Sequence, residues 1–191
     1  MWWVELLNSI VSVLDSGGAG GGAGAFESIA TASLNGVQTV TLSSIPSTYS
    51  SLHLRIIGFA SVGEFRMRFN GDSGSNYARH TLNGYNSAVS AAGVASTGSM
   101  TVCIDGGARA SLNTTYPTVA LIDVHNYAST TQNKTVRFFG GTDQNSAANS
   151  EIDINSGLWL STAAVNSITI FNLNASNFTS GSFVSLYGIK G

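Results

Sequence analysis

From Phe26 onward, hydrophobicity along this chain alternates with a period of two, and that pattern limits the fold more than any other feature of the sequence. Phe65, Met67 and Phe69 alternate with Glu64, Arg66 and Arg68, and Leu52, Leu54 and Ile56 alternate with His53, Arg55 and Ile57. Ile168 with Ile170, and Val184 with Leu186, repeat the pattern. The run containing Val119, Ala120, Leu121, Ile122 and Val124 is apolar on both sides, which predicts a strand buried on both faces. Strands are expected near 26–34, 36–43, 51–60, 64–70, 76–83, 99–104, 118–126, 134–140, 151–162, 165–172 and 182–189, separated by Gly/Asn/Ser/Asp turns such as Asn70-Gly71-Asp72. No segment after residue 16 has a long helical period. The expected fold is all-β: an antiparallel β-sandwich, jelly-roll-like. The absence of a short internal repeat disfavours solenoids and propellers.

The first 25 residues are of another kind. Within residues 1–16, Trp3, Leu6, Leu7, Ile10, Val13 and Leu14 fall on one stripe at helical spacing, with Glu5, Asn8, Ser9, Ser12 and Asp15 on the remainder. This predicts a short amphipathic helix, too short to span a membrane and without the basic start of a signal peptide. Such a helix is marginal alone in water, so its stripe needs a surface: other copies, another protein, or its own domain. Residues 17–25 are entirely Gly and Ala and read as a flexible linker. The full Ser-Gly-Ala stretch from residue 16 reaches roughly 15–20 Å as a coil and about 30 Å when taut. The domain division is therefore a helix over 1–16, a linker over 17–25 and a sandwich over 26–191.

Composition narrows the function classes. Charged residues make up only 9% of 191 residues, and the net charge is −2. A basic face for nucleic acid is lacking, and so is an attraction to anionic membrane. A polar but nearly uncharged β surface suits permanent assembly better than a free monomer. The lone cysteine, Cys103, allows no internal disulfide. The four Asn-x-Ser/Thr triplets, at Asn113, Asn133, Asn174 and Asn177, are as many as chance supplies in a chain this rich in Asn, Ser and Thr.

Groupings that carry chemistry are sparse. His53, His80 and His125 form no close-spaced ligand pair. No nucleophile elbow accompanies the abundant serines. Asp123 and His125 share a strand face, as a general-base pair would, but such a pair is more often a satisfied polar contact at a strand edge or subunit contact. Glu151 and Asp153 also share a face and are the minimum for glycoside hydrolysis, yet they read as solvated edge residues. Asn70, Asp72 and Asn76 surround a Gly-rich turn and could offer oxygens to calcium, but they depart from the EF-hand pattern and fit an Asx turn. The Gly run at 17–24 lacks the Lys-Ser/Thr of a phosphate loop. The expectation is no catalytic residue, no metal and no cofactor.

Four segments resemble a family of virion structural proteins from tailed bacteriophages: Thr41–Arg55 (TLSSIPSTYSSLHLR), Phe69–Tyr77 (FNGDSGSNY), Gly157–Ile170 (GLWLSTAAVNSITI) and Phe183–Lys190 (FVSLYGIK). The similarity extends over residues 27–190. It implies a jelly-roll-like domain, a homotrimer, a place in the virion and no catalysis, and it carries over no catalytic residue. Members occur as capsid decorations, as head fibres and as tail-fibre components.

Three functions follow as expectations. In the first, the chain is a capsid decoration or head-fibre subunit. Trp2, Trp3, Leu6, Leu7, Ile10 and Leu14 then dock on the major capsid protein or another virion protein. In the second, it is a tail component whose loop aromatics Tyr77, Tyr85 and Tyr116 stack on a host surface glycan. The third is a free lectin or carbohydrate-active enzyme.

Overall fold

A computed structural model describes residues 24–103, 112–146 and 150–191. The predicted helix over 1–16 and residues 17–23 of the linker lie outside these residues, as does the side chain of Cys103.

Twelve antiparallel strands form two sheets: β1 (Phe26–Ser33), β2 (Thr39–Leu42), β3 (Ser51–Gly58), β4 (Phe65–Phe69), β5 (Tyr77–Tyr85), β6 (Ala88–Thr97), β7 (Met100–Cys103), β8 (Thr118–His125), β9 (Lys134–Thr142), β10 (Glu151–Trp159), β11 (Ile168–Asn172) and β12 (Phe183–Ile189). The larger sheet has eight strands in the order β1-β12-β3-β8-β9-β10-β5-β6, and the smaller has four, β2-β11-β4-β7. The fold is thus the expected all-β antiparallel sandwich. Eight strands pair as a nested series: β1 with β12, β2 with β11, β3 with β8 and β4 with β7. This is a long hairpin rolled up on itself, the jelly-roll arrangement of two facing four-stranded sheets. The hairpins β5–β6 and β9–β10 are inserted into that series. Both add to the same side of the larger sheet, which they widen beyond the smaller one.

The core forms because the alternating strands place one apolar row each between the sheets. Leu52, Leu54 and Ile56 of β3, Val184 and Leu186 of β12, and Ala120, Ile122 and Val124 of β8 meet Phe65, Met67 and Phe69 of β4 and Ile168 and Ile170 of β11, all buried. Trp159 belongs to this core, stacked near-parallel on Tyr77 at 6.4 Å and tilted against Phe69 at 5.4 Å. Several tight approaches need glycine. A Cβ on Gly58 would lie 2.2 Å from the Phe65 ring, and one on Gly188 would lie 2.3 Å from the Tyr49 ring.

Beneath the added strands the interior changes character. The smaller sheet ends at β7, which packs under β8, β9, β10 and β5. The inward side chains there are Arg79, Thr81 and Asn83 of β5 and Glu151, Asp153 and Asn155 of β10, all buried. They satisfy one another in part: Arg79 donates to Thr81 Oγ1, and Asn83 Nδ2 donates to Glu151 Oε1 at 3.0 Å.

Candidate functional site

The outer side of the same strands carries the apolar residues. Because successive side chains point to opposite faces, a β10 that turns Glu151, Asp153 and Asn155 inward must turn Ile152 and Ile154 outward. Pairing aligns these residues in rows across the sheet. One row runs Leu121, Phe139, Ile154, Leu82, Ala91 from β8 to β6, and the next runs Val119, Gly141, Ile152, Gly84, Val89. Val89, Ile154 and Phe139 are 75%, 51% and 50% exposed. At one end the face dips into a cleft of about 590 Å³, floored by Gly140 and Gly141 and walled by Val119, Leu121, Phe139 and Ile152. Gly141 keeps that floor low, since a Cβ there would sit 2.1 Å from the Glu151 carbonyl oxygen of the paired strand.

A polar row borders the apolar ones. His53, Asp123, Arg137, Ser156 and His80 are successive cross-strand partners on β3, β8, β9, β10 and β5. The Asp123 carboxylate accepts from His53 Nδ1 at 2.7 Å, and Arg137 Nη1 donates to Ser156 Oγ at 2.7 Å. The other nitrogen of His53 faces Arg55 Nε at 3.5 Å, where a catalytic dyad would present a serine hydroxyl. A second, smaller hollow of about 260 Å³ lies over this row, between His80, Arg137 and Leu158.

Several expectations need correction. The two faces of β8 differ: Ala120, Ile122 and Val124 are buried, but Val119 and Leu121 are exposed, because nothing in the chain covers the outer face among the described residues. Asp123 and His125 do share a face, yet Asp123 pairs across the strands with His53 instead of along its own strand. Glu151 and Asp153 share a face too, but it is the inner one. They are 5% and 1% exposed on a strand flanked by β9 and β5, so they are not solvated edge residues, and only Glu151 borders the cleft.

The three tyrosines do not form a platform. Tyr77 is fully buried at the start of β5. Its hydroxyl accepts from the Phe69 N–H at 3.0 Å and donates to the Asp72 carbonyl at 3.0 Å. Burial pushes its pKa up to about 12. Tyr85 ends the same strand, roughly 27 Å away at about 3.4 Å per residue. It is half-buried, as is Tyr116 in the loop before β8.

At the Gly-rich turn, the Asp72 carboxylate accepts from Trp159 Nε1 at 2.7 Å, from the Gly74 N–H at 2.8 Å and from Asn76 Nδ2 at 2.9 Å. Asn70 turns away and bonds the Ala164, Asn166 and Ser167 backbone. The oxygens of this cluster are thus taken by N–H donors, as an Asx turn requires. Asn70 and Gly71 supply its positive φ values, 51° and 69°.

Trp2, Trp3, Leu6, Leu7, Ile10 and Leu14 lie outside the described residues. Among the described residues no helix is long and apolar enough to cross a membrane. Comparison with family models, curated proteins and solved structures finds no match to this chain.

Proposed function

We propose that this chain is a structural subunit of a virus particle, a capsid decoration or head-fibre protein, and that it works by packing against other subunits rather than by catalysis. The carrying observation is the inverted part of the larger sheet, with its carboxylates sealed inside and its large apolar side chains outside. An enzyme of this size would place ionisable groups at an open cleft. Here the open cleft is walled mainly by Val119, Leu121, Phe139 and Ile152, with Asp143 and the nearly buried Glu151 only at its border, and Asp153 faces the interior. The jelly-roll order and the resemblance of four sequence segments to phage virion proteins point the same way. Fold alone would not, because jelly rolls also serve lectins and cupins.

In this reading residues 1–16 attach the domain to the particle through Trp2, Trp3, Leu6, Leu7, Ile10 and Leu14, and the linker gives it reach. Large apolar side chains contribute about 1.5–3 kcal/mol each when fully buried. Several copies in one assembly would add avidity. The test is to purify particles made with the full chain and with a chain lacking residues 1–16, and to count copies by quantitative mass spectrometry. Hundreds of copies, falling at least tenfold on truncation, are expected. A handful of copies would move the protein to the tail, and unchanged incorporation would remove the anchoring role.

A further inference from the structure

We propose that this chain binds further copies of itself through the outer face of β8, β9, β10, β5 and β6 together with the open edge of β6.

The first argument is area. Five strands of about nine residues, at about 4.8 Å spacing and 3.4 Å rise, present on the order of 700 Å² in plan. That matches the roughly 800 Å² per partner that a stable interface buries. The exposed apolar side chains on it are contiguous: Leu121, Phe139, Ile154 and Leu82 follow one another across four strands. Monomeric proteins rarely leave a patch of this kind open. The sequence of β8, apolar on both sides, describes a strand with cover on both faces, and the described residues supply one.

The second argument is the edge. β6 is ten residues long, AVSAAGVAST, with no charge and no proline. Eight of those residues are exposed, so neither face is covered as well as the edge being open. Strand edges are normally blunted by charge, proline or a bulge. The opposite edge of the same sheet follows that rule: β1 has a bulge between Ser28 and Ala30 and the Glu27–Lys190 ion pair at 2.7 Å. β6 has one irregularity near its end, where Tyr77 and Arg79 shift register, and is otherwise a free strand.

The third argument selects the occupant. Along the outer face of these five strands the only formal charges are Asp123 and Arg137, cross-strand neighbours of opposite sign. Such a face repels no copy of itself and offers no charge complement to an acidic or basic partner. A twisted sheet with an open edge is also the surface that a second sheet fits, face to face at about 10 Å or edge to edge at about 4.8 Å.

The biological setting rests on the assembly reading above, but the association itself does not. Purified full-length chain is therefore the sample, studied by sedimentation velocity over a concentration series. An oligomer is expected, and Ile154→Glu and Val89→Glu should each weaken it about tenfold or more. Both positions are solvent-exposed in the single chain, so circular dichroism and melting should remain as in the parent. A chain that stays monomeric throughout overturns the proposal. An oligomer that neither substitution weakens also overturns it, and loss of that oligomer on deleting residues 1–16 would assign the contact to the N-terminal stripe. A monomer that begins to associate when residues 1–16 are deleted overturns it too, because the face is then covered by the chain's own start. Failure of particle incorporation with self-association intact would overturn only the virion reading.

Discussion

Lys134 opens β9 with its side chain fully buried, and among the described residues no carboxylate pairs with it. Its ammonium donates instead to backbone carbonyls of two loops: Ser129 at 2.8 Å, Gln132 at 2.7 Å, Thr162 at 3.2 Å and Ser161 at 3.4 Å. Burial pulls its pKa below that of a free lysine, while the carbonyls give the charge somewhere to point. Lys134→Met keeps the bulk and removes the donors, so it should cost about 3 kcal/mol in chemical denaturation, from carbonyls left without partners. A loss under about 1 kcal/mol would mean that water replaces the ammonium. Asp72 supplies the acid-side counterpart. The Trp159 indole N–H, first, and then the Asn76 amide and the Gly74 N–H hold its pKa below the ordinary 3.8. A depressed carboxylate stabilises the fold fully above its unfolded pKa and loses that contribution as pH falls through the folded one. The parent should therefore lose stability below about pH 4, and Asp72→Asn should be weaker at neutral pH but flatter over that acid range. Parallel acid limbs for the two proteins would contradict this.

Among the elements, β6 is the one whose behaviour should change with association. Its edge amides have no partner strand among the described residues, so they should exchange with solvent quickly in the Ile154→Glu protein, at a rate near that of local fraying. In the associated parent they should slow, while amides of β3, β8 and β12, central in the larger sheet, are protected in both. Equal exchange in β6 would show that the edge stays open on association. β6 is also the strand that the sequence does not announce. Every other strand can be read as an apolar run or an alternation. In AVSAAGVAST the side chains are too small and too alike to show a period. The sense of the alternation is likewise hidden. In β10 the order Glu-Ile-Asp-Ile-Asn identifies two faces without saying which is inside, and the usual rule of apolar inside gives the wrong answer. Only the widening of one sheet past the other, a tertiary fact, decides it. For the same reason Tyr77 is indistinguishable in sequence from a loop aromatic, although it is the first inward-facing residue of β5 and lies in the core.

At the scale of the molecule, the nested pairing explains why one half of the larger sheet resembles an ordinary sandwich and the other does not. Strands β1, β12, β3 and β8 have the smaller sheet opposite them, and their inner rows are apolar. Strands β9, β10, β5 and β6 are additions to a fold that was already closed, and their inner rows become progressively polar toward β5. In the proposed self-association the contacting face thus lies mostly on the insertions, with β8 at its border, and the jelly roll proper serves as their support. That division allows the insertions to differ while the core series stays the same.

The nested pairing also brings the two ends of the sandwich together. The first strand lies against the last, Phe26 is opposite Ile189, and the Lys190 N–H donates to the Ala25 carbonyl at 2.9 Å. A tether pulled at Gly24 against a hold at Gly191 would therefore meet this pair first and open β1 from β12 like a zipper, one bond at a time, instead of shearing a whole ladder at once. Under mechanical load the sandwich has a weak end and a strong end. The weak one is where its linker begins.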